Sequence, residues 1–170
     1  YKISRNEQDM FALNSQEKTQ KAISENKFQE EIIKLQVTSG KKKFIFEKDE
    51  HPRRGLNLEN LKELKTVFKK NGSVTAGNSS GINDGAAITI LMSREEAERR
   101  SIKPLAKIIS WATCGVEPSL MGLGPIPAVN KALKKADWKI EDVDLFEINE
   151  AFAAQSIAVI RDLKIQKEKV

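Results

Sequence analysis

Residues 71–92 read NGSVTAGNSSGINDGAAITILM, and the change of texture halfway along them decides the fold class. The first half holds four of the chain's nine glycines among small polar side chains. That composition suits tight turns and close approach of the backbone to a ligand. The second half, 86–92, is almost continuously apolar, which in a strand means burial on both faces, as in the central sheet of a layered α/β protein. Downstream, Ser93 with Glu96 three residues later predicts a capped helix to about Arg100. After Pro104 a second apolar run, 105–112, centred on Ile108 and Ile109, reads as another core strand. The loop at 122–127, GLGPIP, puts Pro125 near a helix start; Val129, Leu133 and Ala136 give that helix its apolar side and Trp138 closes it. A short strand is expected over 144–148, with Asn149 and Glu150 at the turn into a small-residue helix over 151–163.

Upstream of the glycine-rich stretch, Leu58, Leu61, Leu64 and Val67 with Phe68 have the spacing of a short amphipathic helix, preceded by a loop at 49–55. Alternation over 31–38 and again over 44–47, around Ser39-Gly40, predicts a two-stranded hairpin. Because two strands alone are marginal in water, that pair is expected to lie on other structure. Ser4 and Glu7 have capping-box spacing, and Met10, Phe11 and Leu13 begin a helical stripe running towards Asn26, a surface helix with one buried side. No internal repeat is visible, and the order of elements argues for layered α/β.

Composition narrows the function classes. With 39% hydrophobic and 31% charged residues, and no apolar run near the roughly 18 residues a membrane span needs, a globular protein without membrane insertion is expected. Tyr1 rather than Met begins the chain, and the first eight residues have no signal or transit character, so an upstream segment is expected. One cysteine, Cys114, and one histidine, His51, exclude a disulfide framework and a zinc site of the usual type; a reducing cytoplasm fits. The net charge of +5 comes from dispersed lysines without interleaved aromatics, which argues against nucleic acid and leaves a solvated surface or a counter-charge for a phosphate-bearing small molecule.

Three stretches carry more specific information: 75–87 (TAGNSSGINDGAA), 122–127 (GLGPIP) and 147–155 (EINEAFAAQ). In type, order and separation they resemble the thiolase family, most of all short-chain, acetoacetyl-CoA-type thiolases, and the shared pattern covers nearly the whole chain. The resemblance implies a layered α/β/α/β/α thiolase fold in part: residues 1–82 as the end of the lid domain, 83–103 as the final strand and helix of the first core half, and 104–170 as the start of the second. It implies acyl transfer to or from coenzyme A, condensing two acetyl-CoA to acetoacetyl-CoA and CoA or the reverse, with CoA as substrate and no permanently bound cofactor. A homo-oligomer, dimer or tetramer, is implied at full length. A non-catalytic CoA-binding or subunit-pairing module is the alternative.

Residue by residue, the resemblance implies that Asn149 holds a water that stabilises the oxygen charge developing on an enolising thioester, a task suited to a non-titrating amide. Ala151 and Phe152 follow it, with Phe152 expected one helical turn along as an aromatic wall. Ala76 and Ser80 are implied to lie against the pantetheine arm, Arg53 and Phe68 at the nucleotide end, and Met121 at the acyl pocket. Outside the family pattern, an Asn before a helix is a cap, a lone Arg a solvated charge, and Met or Phe core filler. The family's two catalytic cysteines and its Gly-His-Pro histidine have no counterpart here, their places falling before residue 1 and after residue 170. Cys114 is expected to be a buried small hydrophobe, and His51 a lid-loop residue.

Overall fold

In the computed structural model, which describes residues 1–170, the Ser4 hydroxyl accepts a hydrogen bond from the Glu7 amide and opens α1, Arg5–Ser24. The chain divides into two compact units: Tyr1–Gly81 with Glu150–Ile157, and Ile82–Asn149 with Ala158–Val170.

In the first unit α1 packs against α2, Leu58–Lys62, and against a 3₁₀ turn at Ala76–Asn78. The apolar stripe expected on α1 is not what it buries. Met10 is exposed, while the fully buried side chains of this helix are Gln8 and Asp9. Burial of polar groups is tolerable only when they are paired, and Asp9 is paired twice over, as described below. The hairpin forms as expected: β1, Leu35–Ser39, pairs antiparallel with β2, Lys42–Phe46, with Leu35 opposite Phe46 and Ser39 opposite Lys42. Gly40 begins the two-residue turn at φ +60°, a left-handed conformation that glycine adopts without steric cost. The expectation that the pair lies on other structure is not met. Leu35, Phe44, Ile45 and Phe46 are all exposed.

The amphipathic helix expected through Phe68 stops early. It ends at Lys62, because the chain turns back on itself: the Val67 amide donates to Val74 O and Thr66 bridges Thr75. Leu64, Val67 and Phe68 thus stand outside any helix, and Phe68 is 74% exposed.

In the second unit α3, Arg94–Arg99, starts at Ser93, whose hydroxyl accepts from the Glu96 amide, as the sequence predicts. Of the loop expected at 122–127, Gly122 and Leu123 end a 3₁₀ helix, Pro118–Leu123, kinked at Leu120, and Pro125, Ile126 and Pro127 already belong to α4, Pro125–Ala136. Asp137 ends α4 in the left-handed conformation, and the Trp138 amide returns to Leu133 O. The segment before α4 runs beside it: Ser110 Oγ donates to Ala132 O at 2.8 Å, and Lys135 Nζ donates to Trp111 O at 2.9 Å while lying 4.9 Å over the Trp111 ring.

The three runs expected as core strands, 86–92, 105–112 and 144–148, form no ladder. A strand is defined by a repeating partner, and the backbone bond from the Phe146 amide to Lys169 O at 2.7 Å does not extend into a ladder. Ile88, Ile90 and Leu91 are accordingly 93, 83 and 72% exposed, and Leu105 and Leu145 stand in water as well. Cys114, expected to be buried, is half-exposed for the same reason. The helix expected over 151–163 is α5, Ala153–Asp162, and its apolar residues Ala158, Val159 and Ile160, with Leu163 and Ile165 beyond, are the most continuous buried stretch of the chain. No helix is long and apolar enough to cross a membrane.

Candidate functional site

A cleft of about 430 Å³ opens in the first unit. One side carries His51, Arg53 and Arg54, from the loop that precedes α2. Leu61 and Leu64 form an apolar wall, and Ala76, Gly77 and Ser79 supply a wall of small residues from the glycine-rich loop. Cationic groups together with small and apolar ones suit a ligand that joins an anionic part to a narrow, uncharged part.

The loop bearing the arginines is tied to α1 by Gln16, whose Oε1 accepts from the Arg53 amide at 2.8 Å. Arg5, four residues before Asp9 on α1, donates from Nε to Asp9 Oδ2 at 2.7 Å and from Nη2 to Leu61 O at 2.5 Å and Leu64 O at 3.1 Å. These carbonyls belong to the last turn of α2 and to the residues after it, where a helix leaves acceptors without partners. Arg5, Asp9 and Gln16 fall within about 40° of one another around α1 at 3.6 residues per turn.

The wall of small residues is held by Asn78. Its Oδ1 accepts from the Thr75 amide at 2.9 Å, and its Nδ2 donates to Ser73 O at 3.1 Å and to Asp9 Oδ1 at 2.9 Å. Thr75 Oγ1 accepts from the Gly77 amide at 3.2 Å, and Ser79 Oγ donates to Thr75 O at 2.7 Å. Gly77 is required by proximity: a Cβ there would lie 2.5 Å from Leu61 Cδ2 and 2.6 Å from Leu64 Cδ1.

Beyond this wall the loop meets the segment ahead of α5. Ser79 bridges Phe152 in antiparallel fashion, and the Ser80 amide donates to Ala151 O at 3.0 Å. The Phe152 ring stands edge-on to Phe68, centroids 6.0 Å apart at 76°. Ser15 Oγ of α1 donates to Glu150 Oε2 at 2.6 Å.

Of the residues singled out from sequence, Arg53 and Ala76 thus share one cleft, and Ser80, Ala151, Phe152 and Phe68 are linked beside it within the same unit. Two are placed in the other unit. Met121 is exposed on the 3₁₀ helix, and Asn149 is exposed in the run before α5. The helix begins at Ala153, four residues after Asn149. The first α5 turn is accepted by Phe152 O, from the Ser156 amide, so helical spacing between Asn149 and Phe152 does not exist. The reason is the bridge to Ser79 and Ser80, which engages the backbone of 151–152 ahead of the helix. Sequence reading missed Arg5, Asp9, Gln16 and Asn78; the i,i+4 spacing of Arg5 and Asp9 was the one local signal. No three His, Cys, Asp or Glu side chains converge as a metal site would require.

Residues 1–95 match the family model for the thiolase N-terminal domain and residues 102–170 that for the thiolase C-terminal domain. An acetyl-CoA acetyltransferase of Shinella zoogloeoides is 52% identical over 163 residues, covering 96% of this chain and 42% of the relative. The crystal structure of the Bacillus anthracis acetyl-CoA acetyltransferase superposes with a TM-score of 0.94 at 49% identity, covering 100% of this chain and 43% of that one. Human mitochondrial 3-ketoacyl-CoA thiolase in complex with CoA superposes with a TM-score of 0.90 at 43% identity, covering 99% and 42%. The chain therefore spans about two fifths of the length of the relatives it matches.

Proposed function

The chain belongs to the thiolase family, and on that premise we propose that the protein, at the length of its relatives, is an acyl-CoA acyltransferase joining two acetyl-CoA into acetoacetyl-CoA and CoA, or running the thiolytic reverse. The observation that carries this is the cleft lined by Arg53 and Arg54 together with Ala76, Gly77 and Ser79. A planar cation pairs with phosphate oxygens and stacks on a base, so Arg53 takes the nucleotide end of CoA, while Ala76 and Ser80 leave room for the pantetheine arm and offer it a hydroxyl. Phe68 and Phe152, in contact with each other, supply apolar surface beside it. Asn149 anchors the water that meets the thioester oxygen as charge develops, and Met121 lines the acyl end.

In this assignment residues 1–82 close the lid domain, 83–103 complete the first core half and 104–170 begin the second. The acyl-carrying and proton-abstracting cysteines come from the part of the relatives' length that these residues do not cover. CoA thioesters are the substrates with no permanent cofactor, the protein works as a homo-oligomer, and it resides in the cytoplasm, where Cys114 stays reduced.

The test is CoA-dependent cleavage of acetoacetyl-CoA by the full-length protein carrying these residues, with the acyl-enzyme sought by mass spectrometry. Turnover with a trapped acyl-enzyme is expected. Absence of both, in a preparation that binds CoA, would favour a binding module instead.

A further inference from the structure

Neither Arg5, Asp9 nor Asn78 lines the cleft, yet both of its long walls are fastened to this trio. The Arg5 guanidinium holds the Leu61 and Leu64 carbonyls, from the wall that α2 and its exit provide. Asp9 takes Arg5 on one carboxylate oxygen and Asn78 on the other, and Asn78 in turn sets the loop that bears Ala76, Gly77 and Ser79. The carboxylate is fully buried and Asn78 nearly so, and the amide of Asn78 has all three of its contacts made within the protein. A helix of five residues does not persist on its own, so the α2 wall depends on outside support.

We infer that Asp9, acting with Arg5 and Asn78, is a positioning residue that fixes how the α2 exit and the glycine-rich loop, in contact where Gly77 meets Leu61 and Leu64, are set against each other along the cleft, and so sets affinity for the CoA nucleotide and arm. The inference rests on the CoA reading of the cleft given above. Its physical content is that one buried anion is shared between two walls, so removing either of its hydrogen bonds leaves a buried group unpaired and lets one wall drift relative to the other. Asp9→Asn can accept from Arg5 or from Asn78 but must turn its own NH2 towards the remaining donor. The exchange Asp9→Asn with Asn78→Asp restores a donor facing an acceptor across the pair while leaving Ser73 O without its donor, so recovery is partial.

The experiment measures desulfo-CoA binding by calorimetry and thiolysis kinetics in the full-length protein. Asp9→Asn is expected to raise Kd for desulfo-CoA and KM for CoA about tenfold, with kcat within about threefold of wild type, and the double exchange to recover at least about a third of the lost affinity on a logarithmic scale. A purely structural role would lower Tm and leave Kd and the KM-to-kcat ratio of the folded enzyme unchanged, and that result overturns the inference. If Asp9→Asn does not fold, Arg5→Lys keeps the charge beside Asp9 and removes the fork to Leu61 and Leu64; a Kd raised about threefold supports the inference and an unchanged Kd overturns it. A wild-type protein that binds no desulfo-CoA would overturn the CoA reading itself, a different outcome from a variant that binds as wild type does.

Discussion

Phe68 and Phe152 meet edge to face, their ring centroids 6.0 Å apart and their planes at 76°, joining the turn after α2 to the segment that leads into α5. The positive edge of one ring against the negative face of the other adds about 0.5–1.5 kcal/mol beyond the area the pair covers. A double-mutant cycle over Phe68→Ala and Phe152→Ala, read by urea unfolding, is expected to return a coupling in that range. A coupling near zero would reduce the rings to neighbours.

Gly77 is a packing position. A methyl group there would press on Leu61 Cδ2 and Leu64 Cδ1, and Leu61 is fully buried. Gly77→Ala is expected to destabilise by about 1–3 kcal/mol through overpacking. Leu61→Ala in the same chain should then cost less than it does in wild type, because it vacates the space the new methyl needs. Simple additivity in thermal unfolding would refute the assignment.

The hairpin is closed at its open end by an ion pair, Lys34 Nζ to Glu47 Oε2 at 2.7 Å, one step beyond the Leu35–Phe46 pair. The hydrogen bond and charge of Lys34 hold the Glu47 carboxyl below its ordinary value of 4.5, and the same contacts from Glu47 hold the Lys34 amine above its ordinary 10.5. The lowered carboxyl contributes stability that is whole above 4.5 and is lost as pH falls through its folded value; the raised amine contributes stability that is whole below 10.5 and is lost as pH rises through its own. Protection factors of the β1 and β2 amides, which divide out the intrinsic acid and base catalysis of exchange, are therefore expected to be highest and flat between those limits and to fall on either side. Glu47→Gln should abolish the acid limb. Because both groups are solvated, about 1 M salt should flatten the whole profile.

Elements built from local chemistry could be read directly from the residues. Ser93 with Glu96, Ser4 with Glu7, Pro125 and the Gly40 turn each act within four residues, and each stands where its pattern places it. The family resemblance likewise points to Arg53 and Ala76, which share a cleft, and to Ser80, whose amide meets Ala151 O. What escaped reading was non-local. Asp9 and Asn78 lie 69 residues apart, and nothing in the periodicity around either marks a buried polar contact, since periodicity searches weigh apolar side chains. The helix expected through Phe68 failed for a similar reason: Val67 bonds Val74 across a reversal that helical spacing cannot reveal. The apolar runs were correctly seen as strand-like in composition, but a ladder needs a second backbone as well as suitable residues.

That last feature has a consequence for handling the polypeptide. The seven residues AAITILM at 86–92 contain no proline, glycine or charge, and Ile88, Ile90 and Leu91 face solvent. Such segments stack in register with copies of themselves into dry, interdigitated amyloid fibrils. At high concentration the exposed segment thus favours self-templated precipitation, with Asp84 on one flank and Arg94 and the two glutamates after it on the other standing as charged gatekeepers against it.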